Sequence, residues 1–224
     1  MVGLFFGNVV ITLIWLQQQM GYTAFWAGLA IAPMGVLAVA TSSVVGRLLP
    51  KLDPRIIVTY GMCLLGLSFY MRALFTTQVD YWTIALPMLV LGAGVPACIV
   101  TLTSLGVSDL PPEKVTGGSG LQNFIRVMSM AIGGSLSQTY WEHAGKANRA
   151  ELVAISDYDA IVRALPNGAS QASLNQFSRL VDGQAVMLAT NDFYAIACLL
   201  MLAFAALVWL VKPSAGPLKI GAGH

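Results

Sequence analysis

Six long apolar runs, separated by polar stretches, dominate the sequence. Each has close to the roughly 20 residues that a helix needs to cross a bilayer. Only helices and closed barrels satisfy all their backbone hydrogen bonds inside a membrane, so we predict an all-α membrane protein with six transmembrane helices. The predicted spans are 2–18, 25–46, 56–74, 83–107, 118–140 and 192–211.

The short stretch 46–55 sets a predicted orientation. It carries Arg47, Lys51 and Arg55 between two apolar runs, and such basic residues favour the cytoplasmic side. Counting spans from this turn places both chain ends in the cytoplasm and assigns Arg72 to a short external loop. Apolar residues follow Met1 directly, without the basic region of a signal peptide, so we expect the chain to begin at or within a span.

A long polar segment, 142–191, precedes the last apolar run. Apolar positions recur at helical spacing in 150–165 and 173–188, which predicts two amphipathic helices outside the membrane, on the bilayer or against a partner. The predicted divisions are five spans (1–141), an external helical loop (142–191), the last span (192–211) and a cytoplasmic tail (212–224).

Composition supports a membrane protein. Only 10% of the residues are charged, whereas soluble domains carry about 25%. The net charge of +2 is too small to indicate a nucleic-acid partner. The three cysteines lie in apolar runs without a CxxC pattern, so we expect no metal site, and no motif indicates a cofactor.

An enzyme is a poor interpretation of this chain. Gly117 to Gly120 form a GxSG sequence of the kind that holds the nucleophile of intramembrane serine proteases. That chemistry needs a histidine within hydrogen-bond reach of Ser119. The two histidines, His143 and His224, are assigned to the external segment and the tail, so we predict no catalytic site.

Polar residues recur at helical spacing inside three predicted spans. Polar side chains are costly in lipid, so such stripes should face protein or a water-filled cavity. The candidate substrate-cavity residues are Asn8, Thr12, Gln19, Thr101, Ser104, Gln122 and Arg126.

Two of these stripes have a second interpretation. Thr101 and Ser104 belong to a small-residue face that also suits close helix packing. Arg126 either lies deep enough to need a partner or a cavity, or extends outwards to the headgroups. No Asp or Glu lies in the middle of a span, so the chain lacks the carboxylate that a proton-driven carrier needs.

Five motifs occur in order along the chain: 16–33, Gly46-Arg47 with Asp53-Pro54-Arg55, 110–113, 119–126 and 208–213. Together they resemble the C-terminal half of EmrB/QacA-type transporters, fourteen-span drug:proton antiporters of the major facilitator superfamily. The resemblance implies one half of a major facilitator fold, in a multidrug efflux transporter working by alternating access. It also implies that the proton site belongs to an N-terminal half.

The resemblance extends to a gate and to partners. It implies that Gly46, Arg47, Asp53 and Arg55 form a cytoplasmic gating loop, although the arginines equally suit topology determination alone. It also implies a bacterial inner membrane, with a periplasmic adaptor and an outer-membrane channel as partners. The alternative function is a truncated, non-transporting protein or a scaffold whose external loop docks that adaptor.

Overall fold

The computed structural model describes residues 1–76, 81–108, 110–155 and 171–210. These residues form six α-helices and no strand. The helices are α1 (Val2–Gln18), α2 (Ala24–Leu48), α3 (Pro54–Ala73), α4 (Tyr81–Ser108), α5 (Pro112–Ile155) and α6 (Gln171–Val208). The predicted all-α class is confirmed.

Within this part of the chain, four helices are long and apolar enough to cross a membrane: α2, α3, α4 and α6. Helix α1 is apolar but has only 17 residues, and α5 is not among the four. The chain is therefore a multi-pass membrane protein, while the number of six crossings stays a prediction.

The last two helices are longer than predicted. Helix α5 has 44 residues and α6 has 38, and neither breaks where the external loop was expected to begin or end. Residues 142–155 contain no proline and several good helix formers, so the chain turns polar without leaving the helix. The second predicted amphipathic helix, 173–188, is part of α6. Residues 156–170 lie outside the described residues.

The polar ends of α5 and α6 pack against each other. Arg149 of α5 forms an ion pair with Asp182 of α6 and also donates to Ser178 Oγ at 3.3 Å. Nearer the apolar part, Trp141 Nε1 donates to Thr190 Oγ1 at 2.8 Å. These contacts make a paired helical extension, where the sequence predicted two separate amphipathic helices.

The helices pack in an order that differs from their order along the chain. Helix α4 packs between α2 and α3, α3 packs against α6, α6 against α5, and α5 against α1. One apolar core runs through the bundle, with Phe69 of α3 stacked on Tyr194 of α6 at a centroid distance of 6.3 Å.

Two internal prolines are matched by side chains across the α2–α4 contact. A proline removes the hydrogen bond to the carbonyl four residues earlier, and inside a membrane that carbonyl needs another donor. The carbonyl that Pro96 leaves, Gly92 O, lies 3.4 Å from Thr41 Oγ1 of α2. The carbonyl that Pro33 leaves, Leu29 O, lies 3.4 Å from the Tyr81 hydroxyl of α4. Tyr81 thus supplies a donor to α2, whereas the single Thr41 hydroxyl proton has a nearer acceptor in its own helix, Leu37 O at 2.8 Å.

Glycines allow α1 and α5 to approach closely. A Cβ built at Gly133 of α5 would lie within 3 Å of the Gly3 backbone of α1. One helical turn further along, a Cβ at Gly7 would meet the Ser137 side chain. Gly133 and Ser137 of α5 therefore serve the close packing of this helix against α1.

We predict that Gly133→Ala destabilises the protein by about 1–3 kcal/mol, because the added methyl group would meet backbone atoms that cannot move aside. The matched control is Gly120→Ala in the same helix, where a Cβ has nothing within 4 Å. The control should be neutral or up to about 1 kcal/mol more stable, since alanine favours a helix over glycine. The measurement is unfolding of the purified protein in detergent, and equal stabilities for both variants would contradict the close contact.

Candidate functional site

A cleft of about 460 Å³ lies between the start of α1, the second half of α4 and the first half of α5. Its walls are mostly apolar, and its polar groups come mainly from α5. The lining residues are Met1, Val2, Ile99, Leu102, Thr103, Ser119, Gln122, Asn123, Ile125, Arg126 and Ser129. Of the seven predicted cavity residues, this cleft brings together two, Gln122 and Arg126.

Gln122 connects α5 to α4 at the edge of the cleft. Its Nε2 donates to Leu102 O at 3.2 Å. A Cβ built at Gly106 would lie 2.7 Å from that nitrogen, so the amide occupies space that only glycine leaves open. The contact leaves the amide half-buried and held in position.

Arg126 contributes the positive charge of the cleft. Its Nη2 donates to Asn123 Oδ1 at 2.6 Å, one turn earlier on α5. This partner is neutral, and no acidic residue is among the described residues that line the cleft. Helix α5 begins at Pro112, so Arg126 lies 14 residues along it, roughly 21 Å at 1.5 Å per residue. Its depth in a bilayer stays a prediction.

Ser119 also lines the cleft, away from His143. The two residues are 24 positions apart on one continuous helix, which is roughly 36 Å along its axis. His143 Nδ1 instead lies 2.8 Å from Thr139 O. The serine and this histidine are therefore not arranged as nucleophile and base.

Asn8 and Thr12 lie in the interior of the bundle, where they form a buried polar cluster. Thr12 Oγ1 donates to Asn8 O at 2.7 Å and lies 2.8 Å from the Tyr194 hydroxyl of α6. Both side chains are almost fully enclosed by protein. The predicted polar stripe of α1 thus faces other helices, and Asn8 and Thr12 do not line the cleft.

The assignment of Arg72 to an external loop is wrong. Arg72 lies in the last turn of α3 and is only 1% exposed. It donates through Nη1 to Asn8 Oδ1 and lies 3.2 Å from Met88 Sδ through Nη2, with its Cζ 5.6 Å from the Tyr194 ring centroid. The helix carries the residue into the bundle, where an amide oxygen, a thioether and an aromatic face stabilise the guanidinium.

The other cavity candidates lie apart from the cleft lining. Thr101 is fully buried, and its Oγ1 has no hydrogen-bond partner in the described part of the chain. Ser104 is half-buried on α4. Gln19 is exposed beyond the far end of α1, about 25 Å along the helix from Val2. Their contact with a substrate stays a prediction.

The proposed gating residues surround the α2–α3 turn. Gly46 and Arg47 are exposed in the last turn of α2, and Arg55 is half-buried in the first turn of α3. Asp53 caps α3 by accepting from Arg55 N at 3.0 Å, and Pro54 follows at the first helical position. This cap gives Asp53 a structural role in addition to the predicted gating role.

Sequence reasoning missed Ser119, Thr103 and Asn123 in the cleft and Arg72 in the buried cluster. Ser119, Asn123 and Arg126 are spaced by four and three residues, so the helical period could have revealed this second polar row on α5. Arg72 lies two residues from the end of its predicted span, and spacing alone does not decide on which side of that boundary it lies.

Comparisons with known proteins identify the family to which the chain belongs. The sequence profile of the Major Facilitator Superfamily matches residues 1–134. The multidrug export protein EmrB of Escherichia coli K12 is 31% identical over 95% of this chain and 43% of its own length. The probable multidrug resistance protein EmrY of the same strain is 30% identical over 92% of this chain and 42% of its own length.

A third relative is the fatty acid resistance protein FarB of Neisseria gonorrhoeae. It is 28% identical over 98% of this chain and 44% of its own length. The chain thus spans less than half the length of each of these three relatives.

Proposed function

The chain belongs to the Major Facilitator Superfamily, and we propose that it is the C-terminal half of a proton-coupled multidrug efflux transporter of a bacterial inner membrane. In this proposal it moves amphipathic or hydrophobic compounds by alternating access, rocking against an N-terminal half around a site near the bilayer midplane. The names of the relatives EmrB and EmrY support export of drugs, and the matched length supports a half.

The observation that carries the proposal is the cleft beside Gln122 and Arg126. Apolar walls from α1, α4 and α5 suit the hydrophobic body of a drug. The guanidinium and the amide can orient a polar or anionic group at one end of the same molecule. The name of FarB, a relative linked to fatty acids, fits a compound of this kind.

Exposed apolar side chains on α2 and α5 support the proposal that a second half of the transporter exists. Helix α2 exposes Val36 and Val39, and α5 exposes Phe124 and Leu136. In the proposed transporter these faces contact the N-terminal half or lipid. With the α2–α3 turn on the cytoplasmic side, the parts of α4 and α5 that line the cleft belong to the cytoplasmic halves of these helices, where the cleft would accept compounds for export.

The proton site is assigned to the absent half. Among the residues that the structure describes, no carboxylate lines the cleft, and Asp53 caps α3. A proton-driven carrier needs an ionisable group inside the membrane that gains and loses a proton during the cycle. We therefore expect coupling to depend on residues outside this chain.

We predict that Arg126→Ala in the complete transporter lowers drug resistance about tenfold or more, since one charge-assisted hydrogen bond contributes roughly 1.5–3 kcal/mol. The measurement is the inhibitory concentration of an acidic amphipathic drug, with the amount of inserted protein checked by blotting. Arg126→Lys should keep part of the resistance. The matched control is Lys114→Ala, an exposed residue in the first turn of α5 that does not line the cleft, which should leave resistance unchanged.

Unchanged resistance in Arg126→Ala would remove Arg126 from the substrate site. Absence of export by the unaltered complete protein would support the non-transporting alternative. Hydrolysis that depends on Ser119 would overturn both interpretations, and we expect none.

The paired extension of α5 and α6 is the proposed docking site of a periplasmic adaptor. Its ion pair and its Trp141–Thr190 hydrogen bond give the two helices a common surface. Deletion of 150–188 should abolish adaptor pull-down while the apolar helices still insert. Adaptor recovery equal to that of the intact protein would contradict this docking site.

A further inference from the structure

A second cavity, an apolar groove of about 410 Å³, opens between α2, α3 and α4 on the side of the α2–α3 turn. It is lined by Thr41, Val44, Val45, Leu48, Leu52, Ile56, Ile57, Tyr60, Ala93 and Ala97. Nine of these ten residues are apolar or aromatic, and none is charged. The groove is separate from the Arg126 cleft, with which it shares no lining residue.

The lining residues at the base of the groove are buried, and those along its sides are exposed. Val45, Ile57 and Ala97 are buried at its base, whereas Val44, Ile56 and Tyr60 are at least half exposed. The short side chains of Ala93 and Ala97 leave the space that a larger residue on α4 would fill. In a membrane protein, such an apolar trough exposed at the bundle surface is suited to a hydrocarbon chain.

Basic residues flank the lining residues of the groove in the sequence, near the α2–α3 turn. Leu48, Leu52 and Ile56 line it, and each directly follows a cation in the sequence: Arg47, Lys51 and Arg55. Arg47 and Lys51 are exposed. The acidic residue of the turn, Asp53, directs its carboxylate to the Arg55 backbone N–H. The turn therefore keeps a net positive charge where the groove meets the end of the helices.

We propose that this groove binds an anionic phospholipid, with an acyl chain between α2, α3 and α4 and the headgroup phosphate at Arg47 and Lys51. A neutral partner would use the apolar trough and leave the cations unused, whereas an anionic lipid matches both parts. Basic pockets between transmembrane helices recognise anionic headgroups in this way. The inference requires only a multi-pass membrane protein and does not depend on export.

The test titrates the detergent-purified complete protein with palmitoyl-oleoyl phosphatidylglycerol and, separately, with palmitoyl-oleoyl phosphatidylethanolamine. Native mass spectrometry counts the bound lipids. The double variant Arg47→Gln/Lys51→Gln should bind phosphatidylglycerol about 25-fold more weakly, since each basic residue contributes roughly a factor of five. Its binding of phosphatidylethanolamine should change little. Lys146→Gln/Arg179→Gln removes two exposed charges elsewhere and should bind as the unaltered protein does.

A second variant tests the apolar part. Ala93→Leu fills the groove without altering its charge and should weaken the binding of both lipids. The proposal is overturned if Arg47→Gln/Lys51→Gln binds phosphatidylglycerol as the unaltered protein does, or if both double variants lose binding equally. It is also overturned if Ala93→Leu leaves lipid binding intact but prevents cross-linking to the N-terminal half, because the groove would then be a contact between halves.

Discussion

The bundle depends on one buried cation. Arg72 of α3 donates to Asn8 of α1 and lies against Tyr194 of α6 and Met88 of α4, so that a single side chain contacts three other helices. A guanidinium enclosed in this way is costly unless its hydrogen bonds are satisfied. Its Nε and the Nδ2 of Asn8 have no hydrogen-bond partner in the described part of the chain, so the Asn8 oxygen carries much of the compensation.

The polar residues of the bundle form two groups with different roles. Asn8, Thr12 and Arg72 form hydrogen bonds inside the protein that connect helices, although two of their nitrogen atoms have no partner in the described residues. Gln122 and Arg126 border an open cleft, where their partners are a backbone carbonyl and a neighbouring amide on the same or the adjacent helix. Substrate contact is proposed for the second group, because its polar atoms adjoin space that a compound can enter, whereas Asn8, Thr12 and Arg72 are enclosed by protein.

Two prolines leave carbonyls in α2 and α4 without their usual helical hydrogen bonds. Pro33 and Pro96 interrupt hydrogen bonding within α2 and α4, and the freed carbonyls lie 3.4 Å from Tyr81 and Thr41. Such long hydrogen bonds are weaker than helical ones. The proposed alternating access needs helices that shift without exposing unpaired carbonyls, and the Tyr81 hydroxyl is a replacement donor for Leu29 O.

Most of the fold could be predicted from hydrophobic runs, because the length and apolarity of 25–46 or 83–107 leave few options other than a membrane helix. The continuous α5 could not, since a polar stretch after Trp141 looks the same whether the helix ends or continues. Helical spacing identified Gln122 and Arg126, because it shows which residues share one face of a helix. Spacing does not tell whether that face meets a cleft, as with Gln122, or another helix, as with Asn8.

The most direct test of this account is a double-mutant cycle on Arg72 and Asn8, measured as the free energy of unfolding in mixed detergent micelles. Asn8→Leu should cost about 2–4 kcal/mol, because it leaves a buried cation without its acceptor. Arg72→Met should remove the need for that acceptor, so the double variant should lose at least about 1 kcal/mol less than the sum of the single losses. Additive effects within about 0.5 kcal/mol would contradict the claim that this hydrogen bond holds the bundle together.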